Sequence, residues 1–372
     1  MQNELAADVT LLLLGSLGET IFSHESLSLS LYSMTEHFEV AIIGAGPAGL
    51  GASTNAAHHN LSHVLIEKAE IGNTIFEYQL RKHVMAEPQK LPLRAHVSFQ
   101  AGTREEILDA WNKAIQEKKV NVWKKELTKI EKEGDRFKIS CGGDSCTANV
   151  VILCIGVQGS PRKLGVEGQD LPHVSYTLRD PDAFVDKDIL VVGAGDAAIE
   201  NAIALAEKNR VSIINRGGEF ARAKEANNAL MVKAIESGKI TCYYDSGIAR
   251  VEQEFTYIET PSGEVKVRAD QINARIGAIL PRKFLEDCGI GFPSDDRNAV
   301  PTVDQHYQST VKNLYVLGAL IGYPLIKHAI NQGYEVVEHI LGNDIEPADQ
   351  VLVSEKLGHL PGEVNANLEM IR

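Results

Sequence analysis

Two glycine loops hold the clearest chemistry in this 372-residue chain. In the first, FEVAIIGAGPAGLG at residues 38–51, Gly44, Gly46 and Gly49 follow an apolar run and lead into small residues of helical pattern. Glycine at these three places permits a tight turn, close approach of backbone to a pyrophosphate, and close seating of a helix whose positive end faces the phosphates; Pro47 and Ala48 complete the loop. Glu67 ends the next apolar run, HVLIEK, where its carboxylate can accept both hydroxyls of an adenosine ribose. The second loop, GAGDAA, sets Gly193, Gly195, Asp196, Ala197 and Ala198 in the same order after DILVV. No acid ends its second strand, VSIIN; the chain continues through Asn215 and Arg216 to Arg222. Arginines there suit a 2′-phosphate, which an acid would repel, so this loop is expected to take NADPH in preference to NADH. A solvated surface pair is the alternative reading of the two arginines.

Each loop needs a strand before it, a helix after it and a second strand beside the first. That unit recurs about 150 residues along the chain, which marks an internal repeat. The expected fold class is α/β, with two Rossmann-like dinucleotide-binding domains, the second, NAD(P)H-binding domain inserted into the first. Between the repeats lie a helix pattern at 103–118 and strand patterns near 121–129, 136–141 and 149–155. The Gly- and Pro-rich run GSPRKLGVEGQDLP reads as a crossing linker, and IKHAINQGYEVVEHI reads as a helix that stops at Gly342. The expected boundaries are an N-terminal extension at 1–34, a first domain at 35–157 plus 296–345, a second at 158–295, and a tail or linker at 346–372.

Composition narrows the partners. A net charge of -13 repels a phosphate backbone, and no basic cluster interleaved with aromatics occurs, so nucleic acid is not expected. Leu11 to Leu14 have no basic residue before them and Glu19 soon after, which fits neither a signal peptide nor a membrane span. Five cysteines without a CxxC suggest a reducing cytoplasm. Cys141 and Cys146 flank Gly-Gly-Asp-Ser and could face each other across a hairpin, as a redox pair or as plain thiols. Cys154 reads as a core residue, Cys242 and Cys288 as inert. His58, His59 and His63 lack the further ligands that a metal site needs.

Over residues 36–345 the order of these blocks resembles the low-molecular-weight thioredoxin reductases, within the two-dinucleotide-binding-domain flavoproteins. The resemblance implies FAD at the first loop, with Glu67, Lys68, Asn73, Thr74 and Leu127 beside it. It also places Gly156 of CIG, and Gly318 and Ala319 of NLYVLGA, at the flavin nucleotide. Lys327, His328 and Ala329 open a helix that in such proteins points its N-terminus at the flavin, and His328 is the one candidate catalytic side chain. Ile276 and Gly277 join Gly193, Gly195 and Arg216 at the NADPH site. A homodimer is also implied.

The departures bear on the reaction. Where thioredoxin reductases carry a dithiol, this chain has Thr177 and Asp180 in VSYTLRDPD. The segments NTIFEY, TREEILDAW and TLRDPDAF are similar to the bacillithiol-disulfide-reductase branch, whose reactive cysteine falls where Ala48 stands. The aspartate of the C-terminal GD motif is Ala319, and the tail from 343 to 372 offers no aromatic residue to stack on a flavin, only His359. The expected function is therefore hydride transfer from NADPH to FAD, with electrons passing to a separate electron-acceptor protein such as an iron–sulfur protein, or to a fused domain. Two alternatives stand beside it: a non-catalytic FAD/NADPH redox sensor, and a disulfide reductase using an unrecognised thiol.

Overall fold

The computed structural model describes residues 35–357; the expected extension at 1–34, and His359 with the end of the tail, lie outside them. Apolar, β-branched runs become strands covered on both faces, as parallel sheets require. Glu36–Ile43 is central, with Ile42 opposite Leu65 of His63–Glu67 on one side and Ile152 of Asp144–Leu153 on the other, both in parallel register. Val122–Lys124 extends the sheet beyond His63–Glu67. Asp144–Leu153 divides its outer edge. Its first half pairs antiparallel with Arg136–Cys141, itself paired with Lys129–Glu133, and its last three residues pair in parallel with Leu314–Val316. A segment distant in sequence thereby enters the sheet next to the turn that follows Leu153.

Some expected bounds shift. The strand pattern at 121–129 is two strands, because the chain turns at Lys125, whose amide donates to Glu67 O at 3.0 Å. In the hairpin, Cys141 pairs with Asp144 and Cys146 with Ile139, so the two cysteines are not opposite each other as expected, and both are buried. The helix expected at 103–118 is Arg104–Glu117, fixed at its start by a capping box between Thr103 and Glu106.

The second sheet is wholly parallel, in the order Ile240–Tyr243, Arg210–Ile214, Asp188–Val192, Gln271–Ala274, Val174–Ser175. A three-stranded antiparallel meander, Gly247–Val251, Phe255–Thr260 and Gly263–Arg268, adjoins it in sequence and was not among the expectations. After Ala274 the chain returns to the first core earlier than residue 296: Leu285 and Ile290 are buried there with Ile43, Ile66 and Leu314.

The helices Pro47–His58 and Ile326–Ile340 pack backbone to backbone. A Cβ at Gly51 would stand 2.1 Å from Ile330 O, and one at Gly333 2.1 Å from Ala48 O, so only glycine fits at either contact. Part of the expected tail is structured: Ala348 and Leu352, the latter in the helix Gln350–Leu357, are buried against Leu91. Among the described residues no helix is long and apolar enough to cross a membrane.

Candidate functional site

Both glycine loops turn in the same way. Gly44 adopts φ +100° and Gly193 φ +129°, and their amides donate to the end of the neighbouring strand, to Ile66 O at 2.8 Å and Ile214 O at 3.1 Å. At both, an added Cβ would collide with a carbonyl, Cys154 O at 2.6 Å or Arg275 O at 2.3 Å. Gly49 is equally confined, 1.8 Å from Gly44 O, and Ala198 fills the matching place in the second loop, buried. The middle glycines differ. Gly46 would meet nothing closer than 3.9 Å and Gly195 nothing within 4 Å, and each is the residue from which a helix starts, with Pro47 or Asp196 first inside it. Open space at the positive end of a helix, floored by backbone, is what a pyrophosphate needs.

Glu67 reaches the first loop directly. Its Oε2 accepts from the amide of Ala45 and its Oε1 from that of Ala69, each at 2.8 Å. Two bonds leave a carboxylate with acceptor capacity for a ribose. Beside it opens a cavity of about 190 Å³ that Gly44, Glu67, Lys68, Leu127 and Gly156 share. Lys125, Glu126, Pro281 and Phe284 also line it and were not foreseen; only the return of the chain near residue 280 brings the last two there. Asn73 and Thr74 open a short helix after Gly72, whose amide donates to Ala45 O at 2.9 Å, so this segment too docks on the loop.

The C-terminal residues converge on the same loop. A Cβ at Gly318 would touch Ala329 at 3.5 Å and Ala48 at 3.8 Å, and the Gly318 amide donates to Gln332 Oε1 at 2.8 Å. Ala319 follows in a single 3₁₀ turn, half-buried. Lys327 and His328 lie in the first turn of the helix Ile326–Ile340, but the Lys327 ammonium turns away to hold the loop before it, donating to Pro88 O at 2.9 Å and to Gln89 O and Leu91 O at 3.3 Å. The ring of His328 is buried 5.7 Å from that of Tyr323.

At the second loop, Ala197 is half-buried on the helix, while the Asp196 carboxylate is engaged by Lys224 N at 2.9 Å and Asn227 Nδ2 at 2.7 Å. Asn215 is buried and shapes the following turn, accepting from Gly217 N and donating to Glu219 O. Arg216 and Arg222 are exposed and form no ion pair with the described residues. Ile276 and Gly277 continue from Arg275 as Ile155 and Gly156 continue from Cys154; Gly277 O accepts from Arg162 N at 2.9 Å.

The segment docked on the first loop also meets the second helix. Gln79 Nε2 donates to Asn201 Oδ1 at 2.6 Å, Lys82 pairs with Glu200 at 2.6 Å, and Leu80 N donates to Arg179 O at 2.8 Å. Arg275 lies close by, its Nη1 donating to Tyr176 O at 2.6 Å and its pKa lowered by burial, while burial raises that of Tyr78. Thr177 is exposed, and Asp180 caps a 3₁₀ turn by accepting from Asp182 N. Burial pushes every cysteine thiol up: Cys146 to about 12, Cys242 and Cys288 to about 11, Cys141 and Cys154 in the same direction.

A family model described as pyridine nucleotide-disulphide oxidoreductase matches residues 41–318. Ferredoxin–NADP reductase of Ignicoccus hospitalis is 28% identical over 303 residues, 80% of this chain and 94% of that one. Ferredoxin–NADP reductase of Picrophilus torridus is 31% identical over 324 residues, 82% of this chain and 94% of that one. Among solved structures, bacillithiol disulfide reductase Bdr from Staphylococcus aureus superposes with a TM-score of 0.75 at 21% identity, covering 82% of this chain and 99% of that one. That likeness carries the fold of two dinucleotide-binding domains.

Proposed function

We propose that this chain, which belongs to the pyridine nucleotide-disulphide oxidoreductase family, is an FAD-dependent NADPH oxidoreductase that passes its electrons to a separate iron–sulfur protein or a fused domain. The observation that carries this reading is the pairing of two glycine loops of one build, with the segment docked on the first tied to the helix of the second through Gln79–Asn201 and Lys82–Glu200. Bound FAD would accept a hydride equivalent and release electrons singly. The open backbone at Gly46 and the helix behind it hold the pyrophosphate, Glu67 the adenosine ribose, and the cavity beside Gly156 and Leu127 the adenine end. The N-terminus of Ile326–Ile340 favours negative charge at the ring. Gly195 and the unpaired Arg216 and Arg222 recognise NADPH.

The thiols support this reading of the acceptor. A disulfide is reduced by a thiolate, and the three places where relatives keep reactive sulfur hold Thr177, Asp180 and Ala48. Burial pushes all five existing thiols up, away from the thiolate, and two relatives matched over most of the chain are ferredoxin–NADP reductases. The test is anaerobic bleaching of the flavin by NADPH, followed by oxidised ferredoxin, thioredoxin or bacillithiol disulfide. Reoxidation by ferredoxin alone is expected. Reoxidation by either disulfide, lost in a single Cys→Ser variant, would overturn the reading, and binding of both nucleotides without bleaching would make the chain a sensor.

A further inference from the structure

The helix Ile326–Ile340 buries a polar face that the electron path above does not use. Glu335, 7% exposed, stands between two cavities. Tyr307 Oη donates to its Oε2 at 3.0 Å, and Ala348 N donates to its Oε1 at 2.7 Å. On the outer side, Glu335 and Tyr307 line a cavity of about 340 Å³ whose wall carries the rings of His306 and His339, stacked 3.9 Å apart. On the other side the same two residues line a narrow cavity of about 10 Å³, room for roughly one water. That cavity reaches His328 past Asn331 and Gln332. Proton-carrying groups therefore run from the surface to the end of the helix that the proposed flavin faces.

We propose that Glu335, with Tyr307 as its gate, takes up one solvent proton when the flavin is reduced and returns it when the electrons leave. The inference rests on the function proposed above. Hydride delivery brings two electrons and one proton and leaves one added negative charge. Glu335 balances that charge by taking a proton through the outer cavity, carboxylate becoming carboxylic acid. When both electrons have gone to one-electron acceptors, the proton that came with the hydride and the proton on Glu335 both return to solvent.

The surroundings suit a group poised to titrate. Burial, the largest cause, pushes the Glu335 pKa up to about 7, and the bonds from Ala348 and Tyr307 oppose it. Asp349 raises it further, and Arg94 lowers it. Asp344 and Glu346 line the outer cavity, and the Tyr323 pKa is raised by burial first, then by Asp349 and Glu335. Glu335 follows His328 by two helical turns, about 10 Å along the axis. A unit charge at that range, with an effective dielectric near 20, shifts a carboxyl by roughly one pH unit, so charge on the flavin, beyond the start of the helix, shifts it by roughly one pH unit or less.

The experiment is an infrared titration of the protonated carboxyl stretch, in the chain without flavin and in the FAD-loaded chain before and after reduction. A band with a midpoint near pH 7 is expected without flavin, its midpoint rising by up to roughly one pH unit on reduction. Both signals are lost in Glu335→Gln. Tyr307→Phe keeps the carboxyl but shifts its band and slows proton uptake measured with a pH-indicator dye. A reduction-linked band that survives Glu335→Gln overturns the proposal, as does a Glu335 that titrates without flavin yet ignores reduction, which leaves the FAD reading standing. Failure of the chain to bind FAD overturns both.

Discussion

Cys154 and Arg275 occupy the same position in the two halves of this protein. Each amide donates at 2.7 Å to the carbonyl that ends the strand before a glycine loop, Ile43 O for Cys154 and Val192 O for Arg275. Each carbonyl closes the space beside the first glycine of that loop. Backbone geometry is thus repeated while the side chains diverge, a buried thiol in one half and a guanidinium at the junction of the halves in the other. The repeat separates glycines confined by neighbouring carbonyls, Gly44 and Gly193, from glycines beside open space, Gly46 and Gly195.

Gly193→Ala and Gly195→Ala are expected to fail differently. The first forces a Cβ within 2.3 Å of Arg275 O at φ +129° and is expected to cost about 2 kcal/mol or more of stability. The second meets nothing within 4 Å among the described residues and should change stability by about 0.5 kcal/mol or less, while weakening NADPH binding about tenfold or more. Thermal melts with and without nucleotide, beside a binding titration, separate the two effects.

Glu67→Ala should release FAD more readily than wild type. The carboxylate anchors Ala45 N and Ala69 N and offers its remaining acceptors to the ribose, so affinity should fall by about ten- to a hundredfold. The flavin released on heating should be FAD; FMN, which has no adenosine ribose, would contradict the role given to Glu67.

Arg216→Ala should reduce the preference for NADPH over NADH without altering flavin content. A charge-assisted bond to the 2′-phosphate is worth roughly 1.5–3 kcal/mol, so the ratio of affinities should drop by about ten- to a hundredfold. Stopped-flow reduction at limiting concentrations of each nucleotide measures that ratio, and an unchanged ratio would move the determinant to Arg222 or elsewhere.

Removing every thiol should leave electron transfer to the flavin intact. Alanine at the buried Cys141, Cys146 and Cys154, where a hydroxyl would be costly to bury, and serine at Cys242 and Cys288 make the cysteine-free chain. Its rate of flavin reduction by NADPH should lie within about twofold of wild type, since no thiol is poised to ionise near neutral pH.

Stability should depend on pH through Glu335. Its pKa rises from 4.5 to about 7 on folding, so its contribution is complete below pH 4.5 and is lost as pH rises through 7. Glu335→Gln, neutral at every pH, should therefore gain on wild type across that window by up to about 1.4 kcal/mol per pH unit. Parallel denaturant curves at pH 5 and pH 8 measure this, and equal differences at both would place the titration on another group.

The sequence by itself determined what backbone geometry and short-range pattern dictate. Glycine at positions 44, 46, 49, 193 and 195 and the apolar runs before them specify two dinucleotide-binding loops, because turn and helix start lie within one strand–helix–strand unit, and the acid at the end of HVLIEK is a candidate ribose acceptor read from the same unit. Set against the families the sequence resembles, Thr177, Asp180 and Ala48 were equally plain, since a missing sulfur needs no fold to be seen. Only the tertiary structure decided how side chains are used. Lys327, Asp196 and Asn215 sit in the expected places, yet their polar atoms bind loop carbonyls, a following helix and a local turn. Phe284 reaches the first cavity because the chain re-enters the first core near residue 280. Along IKHAINQGYEVVEHI, His328, Gln332, Glu335 and His339 form one polar stripe at helical spacing, and polar groups on an amphipathic helix cost least where they face solvent. Residues 344–352 and the loop 88–94 cover part of that stripe, and burial by segments distant in sequence is what turns Glu335 from a surface carboxylate into a group that titrates near neutrality.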